Sequence, residues 1–230
     1  MLGVKKTDGN LMFLYAVYLS SLFLSNMTNG QQVYFFGMML PAASMTYPVS
    51  LLTLCVICEL WRREEAYKLV FLALSIKFMG IVMLGTSQLF INLPRYGIRN
   101  ELWWILGVSL WRASDMMILG RDLRFWTAAL VSFTFAQAGC VRVFHVIYDR
   151  HVRKTGSPWG RRWARYLGAA MAGEMAETLI FLGLTFAPEW ERFWEGVKWH
   201  ACVRGILTLA GLPVFYLATW RRRKRDEHIA

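Results

Sequence analysis

Polar residues inside long apolar stretches are the part of this sequence that could do chemistry. Glu174 and Glu177 lie three residues apart in one such stretch, and Gln137 and Arg204 lie in two others. Because residues three apart lie on one side of a helix, both acids are expected to face the same way. Facing Arg204 or Arg142, they would form a charged pocket that binds a small polar ligand through charge-assisted hydrogen bonds. The competing interpretation is a set of structural ion pairs that lock helices together.

These polar residues are informative because the stretches around them are predicted to cross a membrane. The chain has 230 residues, of which 56% are hydrophobic, and its formal net charge is +11. An ionisable side chain within a bilayer is costly unless it is paired or hydrated, and it marks a functional site by default. Basic blocks beside apolar spans follow the positive-inside rule, which we favour over a nucleic-acid-binding interpretation of the same charge. We therefore expect an integral membrane protein that lies in the lipid bilayer and binds no nucleic acid.

The apolar stretches predict an all-α fold with six transmembrane helices in one membrane domain, residues 1–230. The expected spans are 11–27, 33–61, 68–91, 126–148, 164–187 and 199–220. The second span is overlong, and Pro41 and Pro48 are expected to divide it into a re-entrant or tilted segment and a helix proper. Residues 98–125 predict an amphipathic or partly inserted segment, and the sequence leaves open whether it crosses the membrane.

The distribution of basic residues predicts the orientation of the chain. Of the 26 Lys and Arg residues, sixteen lie on the side of the two termini when six spans are drawn and six lie on the opposite side. Lys77, Arg142 and Arg204 lie inside the spans, and Arg112 would join the opposite side if the ambiguous segment lies there. Basic residues collect on the cytoplasmic side of a membrane. Both termini are therefore expected to be cytoplasmic, with the first apolar stretch as a membrane helix and not a cleaved signal.

Cysteines and small residues inside the spans favour a role in helix packing over a redox or metal-binding role. Cys55, Cys58, Cys140 and Cys202 all lie in apolar stretches, where thiols usually behave as small hydrophobic side chains. The Cys55-x-x-Cys58 spacing is typical of redox or metal sites, but no second pair accompanies it. The run "GAAMAG", residues 168–173, favours close helix contact. No cofactor and no metal site are predicted.

Sequence motifs of catalysis and nucleotide hydrolysis are not present. The chain contains neither a P-loop nor a nucleophile elbow. The chain is therefore not expected to be an enzyme, and a membrane enzyme acting on lipid would need a paired-acid metal motif that the sequence lacks. Any energy source would be an ion gradient or a partner subunit.

Taken in order, the polar positions resemble the vitamin uptake transporter family, whose known members carry queuosine precursors. The residues that carry this resemblance are Ser25-Asn26, Gln31-Gln32, Tyr47-Pro48, Cys55 and Glu59 in the first half, and "AQAGCVRVF" (136–144), "AGEMAETLIF" (172–181), Arg204 and Pro213 in the second. The sequence also departs from the family pattern. Cys55 and Cys140 stand where aspartate is usual, Glu177 replaces an aspartate before Thr178, and glutamine replaces a lysine.

The resemblance implies a bacterial inner-membrane transporter that imports a queuosine precursor, a deazaguanine-type base, or a related purine-like molecule, with proton coupling as a hypothesis. Two adjacent N–H donors of such a base suit a carboxylate, with Glu177 expected first and Glu174 second, while Tyr47 or Phe181 would stack on the ring. The predicted substrate-binding residues are Asn26, Tyr47, Pro48, Gln137, Glu174, Glu177, Thr178 and Arg204. Glu59 and Arg142 are assigned to coupling or gating.

An alternative function is the substrate-binding S subunit of an energy-coupling-factor vitamin transporter. Such subunits are also small six-span proteins, and they require an ATPase partner, which the transporter hypothesis does not. A purely structural membrane protein is a further alternative, but the charged residues in several spans argue against it. The sequence leaves a homodimer open.

Overall fold

Six helices and a β-hairpin make up the part of the chain that the computed structural model describes, which is residues 6–28, 32–35, 38–41, 43–61, 63–92, 119–156, 160–186 and 190–227. In chain order they are α1 (Lys6–Thr28), β1 (Gln32–Phe35), β2 (Met38–Pro41), α2 (Ala43–Leu60), α3 (Arg63–Asn92), α4 (Leu119–Thr155), α5 (Arg162–Phe186) and α6 (Trp190–Glu227). The prediction of an all-α membrane protein is confirmed, and the short hairpin is an addition to it.

Four of these helices are long and apolar enough to cross a membrane. Their apolar segments are Arg63–Met83 in α3, Thr127–Thr155 in α4, Arg162–Thr185 in α5 and Phe193–Trp220 in α6. Gly9–Ser25 in α1 and Ser44–Leu60 in α2 are shorter apolar helices. At 1.5 Å per residue, each shorter helix is about 26 Å long, close to the thickness of a bilayer's hydrocarbon core.

The predicted second span, residues 33–61, differs from what the structure contains. Residues 32–35 and 38–41 form two antiparallel strands, in which Gln32 pairs with Pro41 and Phe35 pairs with Met38. Backbone groups there bond between two strands, which satisfies them without a helix. Pro48 lies inside α2 and does not divide it, because a proline near a helix start removes a single hydrogen bond, the one to the carbonyl of Ser44. Two strands thus take the place of a helical beginning in this segment, and the expectation that Pro48 divides the span is wrong.

The ambiguous segment, residues 98–125, falls largely outside the described residues. The structure describes the chain up to Asn92 and again from Leu119, where α4 begins. The predicted amphipathic or partly inserted structure of residues 98–118 therefore stays a prediction.

Contacts at one end of the bundle show that consecutive helices run in opposite directions. The starts of α1, α3 and α5 lie together with the ends of α2, α4 and α6, as expected when consecutive spans run in opposite directions. These contacts join Tyr15 to Glu65, Glu59 and Tyr148 to Arg165, and Thr219 to Arg162. We call this the polar end of the bundle.

Small residues let α5 approach α4 and α2 closely, as the "GAAMAG" run predicts. Ala169 and Ala170 are fully buried. A Cβ atom built on Gly173 would lie 3.1 Å from the carbonyl oxygen of Ala136, 3.2 Å from Cys140 Cβ and 3.3 Å from a methyl group of Leu51. Three helices therefore meet at a point where only glycine fits without displacement.

A single methyl group at this meeting point should destabilise the protein. We expect Gly173→Ala to lower the free energy of unfolding by about 1–3 kcal/mol, because a backbone carbonyl and a Cβ atom cannot yield as a flexible side chain would. The midpoint of thermal unfolding in detergent measures the change. Gly139→Ala is the control, since a Cβ atom there meets nothing within 4 Å. Equal midpoints for both variants would contradict the tight packing.

Candidate functional site

A cluster of polar side chains lies between α2, α4, α5 and α6, away from the polar end of the bundle. In α2, Tyr47 precedes Glu59 by twelve residues, and in α5, Glu177 follows Arg165 by twelve residues. Twelve residues of helix span about 18 Å, which places the cluster at about mid-height in the membrane. Its members are Tyr47, Gln137, Glu174, Glu177, Thr178, Arg204 and Thr208.

Arg204 on α6 is the central cation of the cluster. Its guanidinium forms an ion pair with the Glu177 carboxylate and donates a hydrogen bond of 3.3 Å to the hydroxyl of Thr178. The same guanidinium lies 5.0 Å from the centroid of the Tyr47 ring, within the range of a cation–π contact. Adjacent positions on α5 thus bind one cation, because Glu177 and Thr178 share the helix face that points to α6.

Gln137 on α4 joins the cluster through Tyr47. Its side-chain nitrogen donates to the Tyr47 hydroxyl over 3.3 Å, and the Gln137 side chain is fully buried. The carbonyl oxygen of the Gln137 side chain has no hydrogen-bond donor among the described residues. A buried amide oxygen in this state is an acceptor available to a ligand.

Glu174 lies one helical turn from Glu177 and Thr178 on the same face of α5. Its carboxylate accepts a 2.7 Å hydrogen bond from the Thr208 hydroxyl, and the Thr208 carbonyl accepts a 3.0 Å bond from the Tyr166 hydroxyl. The second carboxylate oxygen of Glu174 is buried and has no donor among the described residues. Thr208 was not predicted from the sequence, although its position four residues after Arg204 places it on the same face of α6.

Beside Glu174, two buried thiols meet across the helix interface. Cys55 Sγ on α2 lies 3.6 Å from Cys140 Sγ on α4, and both residues are fully buried. The partner of Cys55 is therefore a cysteine of another helix, and the Cys55-x-x-Cys58 spacing is not the relevant pair. These two thiols occupy the positions where the resemblance expects aspartates. Within the described ranges, no three His, Cys, Asp or Glu side chains are placed to hold a metal ion.

His200 is a further member of this region, which was not assigned to the site from the sequence. It lies one turn before Arg204 on α6 and is buried, and its Nδ1 atom has no hydrogen-bond partner in the described part of the chain. Its four-residue spacing from Arg204 is the sequence signal that could have placed it here.

The structure places the remaining predicted site residues elsewhere. Pro48 is buried next to Tyr47 and offers no polar group. Arg142 is exposed, so that Arg204, and not Arg142, faces the two acids of α5. Asn26 lies in the last turns of α1, and its side chain is outside the described residues. Glu59 lies at the polar end of the bundle, apart from the cluster.

The carboxylate of Glu59 is bound between two arginines of α5. Its Oε1 atom lies 3.2 Å from Arg162 Nε and 3.3 Å from Arg165 Nη2. All three side chains are buried. Arg165 also lies over the Tyr148 ring, at 5.0 Å from its centroid, and Arg162 donates a 3.4 Å hydrogen bond to the Thr219 carbonyl. This ion network ties α2, α4, α5 and α6 together at that end.

The cluster therefore offers both kinds of hydrogen-bonding group to a ligand. The second oxygen of Glu174 and the amide oxygen of Gln137 are acceptors, while Nε of Arg204 is a buried donor, and none of the three has a partner among the described residues. Such groups are costly in a protein interior unless a ligand or water satisfies them. The arrangement suits a small molecule that has donors on one edge and an acceptor elsewhere.

Comparison with known proteins connects this geometry to a family. The model of a family described as "Putative vitamin uptake transporter" matches residues 41–218. This range includes every helix that contributes to the cluster, from α2 to α6. No curated protein and no solved structure matches the chain.

Removing the charge of Glu59 should weaken the whole bundle. We expect Glu59→Gln to lower the free energy of unfolding by about 3 kcal/mol or more, because two buried guanidinium groups lose their counter-charge. Thermal unfolding in detergent measures this loss. Glu64→Gln, which changes an exposed acid only five residues away, serves as the control and should leave the midpoint nearly unchanged. A Glu59→Gln protein as stable as the control would show that the network contributes no net stability.

Proposed function

Because the chain belongs to the vitamin uptake transporter family, we propose that it imports a queuosine precursor, a deazaguanine-type base, or a related purine-like molecule. Family membership makes it a multi-pass membrane protein of the vitamin-uptake transporter type. The polar cluster is the proposed substrate site. Thr208 and His200 are added to the residues of the cluster that were predicted from the sequence, which are Tyr47, Gln137, Glu174, Glu177, Thr178 and Arg204.

The observation that carries the proposal is the Glu174 carboxylate. One of its oxygens accepts from Thr208, while the other is buried with no donor in the described part of the chain. A deazaguanine presents two adjacent N–H donors, to which a carboxylate can accept together. Glu177 was the first choice for this role on sequence grounds, but its ion pair with Arg204 favours Glu174 as the acceptor. Glu177 then positions Arg204 at the wall of the site.

Aromatic and amide groups complete the proposed contacts with the base. The Arg204 guanidinium lies over the Tyr47 ring, 5.0 Å from its centroid, and the two groups together form one wall of the proposed site. Gln137 can accept from the ligand through its free amide oxygen while it donates to Tyr47. A planar base with a mixed donor and acceptor edge would satisfy both.

We propose alternating access as the transport mechanism, with the ion network at the polar end as the closed gate. About 18 Å of packed helix lies between the cluster and this ion network. If the bundle opened there, the Glu59 ion pairs would have to separate. Glu59 is therefore a gating residue in this proposal. Its two arginine partners make it less suited to carry a coupling proton than Glu174, which bonds to a neutral hydroxyl.

The proposed location is a bacterial inner membrane with both termini in the cytoplasm. The positive-inside rule favours the side that holds sixteen of the basic residues, and the polar end of the bundle is on that side. In this proposal the chain works in the lipid bilayer without an ATPase and without nucleic acid, and a homodimer is left open.

Uptake in living cells tests the proposal directly. Bacterial cells that lack both their own importer and queuosine synthesis would receive this protein alone, and the queuosine content of their tRNA would be measured after feeding queuosine precursors. Restored modification is the expected result, and it would also separate the transporter from an S subunit, which needs an ATPase partner. Absent modification despite verified membrane insertion would contradict the proposed substrate.

A single substitution in the cluster should abolish this uptake. We expect Glu177→Ala to reduce queuosine in tRNA to background, because Arg204 loses its counter-charge and no longer holds its place beside Tyr47. Glu195→Ala, which removes an exposed acid of α6, should leave uptake unchanged at equal membrane abundance. Uptake by the Glu177→Ala protein equal to that of this control would exclude the cluster as the substrate site.

A further inference from the structure

Lys77 is a charged residue that faces the inside of the bundle and has not been assigned to the proposed site. Along α3, the buried residues Ala66, Val70 and Ala73 recur at spacings of three and four, which marks the stripe that faces the bundle. The next position on this stripe is Lys77, which is half-buried. The side chain therefore points toward the neighbouring helices, and an ammonium group interrupts a face that is otherwise apolar.

The height of Lys77 excludes the usual reason for a lysine in a membrane helix. Lys77 follows the start of α3 at Arg63 by fourteen residues and precedes its end at Asn92 by fifteen. Each distance corresponds to about 21 Å or more of helix. Lysines near helix ends extend to the membrane surface, but from mid-height this one cannot. Its charge must be matched within the bundle.

The surroundings of the ammonium group match it only in part. Lys77 Nζ lies 4.2 Å from the centroid of the Phe133 ring, a cation–π contact that leaves its three N–H donors without oxygen acceptors among the described residues. Lys68 on the same helix differs, since its ammonium binds the Glu65 carboxylate at 2.7 Å. Cation–π contact alone is a weak replacement for the hydration of an ammonium group.

Lys77 lies next to the polar cluster. Phe133 precedes Gln137 by one turn of α4, so the two side chains share the face directed into the bundle, and both are buried. The Glu177 carboxylate on α5 is near enough to interact electrostatically with the Lys77 ammonium group. The ammonium group therefore lies beside the face of α4 that brings Gln137 into the cluster.

We propose that Lys77 is a substrate-binding residue, whose ammonium group donates a hydrogen bond to a carbonyl oxygen of the transported ligand. This inference rests on the proposed function and narrows it. Glu174 accepts from the donor edge of the ligand, and Lys77 donates to an oxo group of the same ligand. Phe133 holds the ammonium group at the wall of the site when the ligand is absent. The substrate class is thus a planar base that carries both an N–H edge and an oxo group.

Two matched compounds test the assignment on the purified full-length protein. The compound 7-deazaguanine carries the oxo group, and its 6-thioxo analogue keeps the ring and both adjacent N–H donors but replaces the oxo oxygen with sulfur, a weak acceptor. Dissociation constants in detergent would be measured for both compounds with wild type, Lys77→Met and Lys77→Arg. We expect wild type to prefer 7-deazaguanine by about 10-fold to 100-fold, the range of a hydrogen bond to a charged group. In Lys77→Met this preference should vanish, and in Lys77→Arg part of it should remain.

Lys68→Met is the control, because it removes an exposed lysine of α3 that has its own acidic partner. It should keep the full preference for the oxo compound. If Lys77→Met keeps the preference, or weakens the binding of both compounds equally, Lys77 does not bind the oxo group and the inference is overturned.

A third compound separates this inference from the proposed substrate. Nicotinate carries an anionic carboxylate and no deazaguanine ring. If wild type binds nicotinate and not 7-deazaguanine, and Lys77→Met abolishes that binding, the proposed substrate is wrong while the role of Lys77 as an oxygen-binding residue stands. If wild type binds none of the three compounds, both proposals are overturned.

Discussion

The buried carboxylate of Glu59, held between Arg162 and Arg165, is the interaction on which the rest of the structure depends. Inside a membrane a lone charge is far more costly than an apolar residue, so α2 can end in this acid only where α5 begins with its two arginines. The ion pairs therefore determine more than an attachment between two helices. They determine the vertical register of α2 against α5, and every contact farther along these helices follows from that register.

Equal spacings on neighbouring helices show how this register builds the polar cluster. Twelve residues separate Glu59 from Tyr47 on α2 and Arg165 from Glu177 on α5, so that Tyr47 and Glu177 reach the same height. On α6, fifteen residues separate Thr219, which accepts from Arg162, from Arg204, and fifteen also separate Arg162 from Glu177 on α5. Arg204 thus arrives level with both of them, which is the condition for its ion pair and its cation–π contact. Because helices have a constant rise, a contact at the polar end assembles a site about 18 Å away.

Spacing within one helix could be predicted from the sequence, whereas contacts between helices could not. The shared face of Glu174 and Glu177 follows from their separation of three residues, and the close approach at Gly173 follows from the run of small residues. Whether Arg142 or Arg204 faces Glu174 and Glu177 depends on the rotation of α4 about its axis. The buried stripe of Phe133, Gln137, Val141 and Phe144 occupies the side of α4 directed into the bundle, and Arg142 does not belong to it. The meeting of Cys55 with Cys140 depends on the register of α2 against α4, which no local pattern contains. The strands at residues 32–35 and 38–41 were missed because their apolar residues suit a membrane helix equally well.

The charges at the height of the cluster constrain what it can carry. With Lys77 included, two carboxylates, Glu174 and Glu177, face two cations, Lys77 and Arg204, and the formal charges sum to zero. A neutral ligand can enter such a site without leaving a net charge inside the membrane. A charged ligand would require a compensating proton, because an uncompensated charge at this depth is strongly disfavoured. A neutral base with separate donor and acceptor groups therefore fits the electrostatics of the cluster as well as its hydrogen bonding.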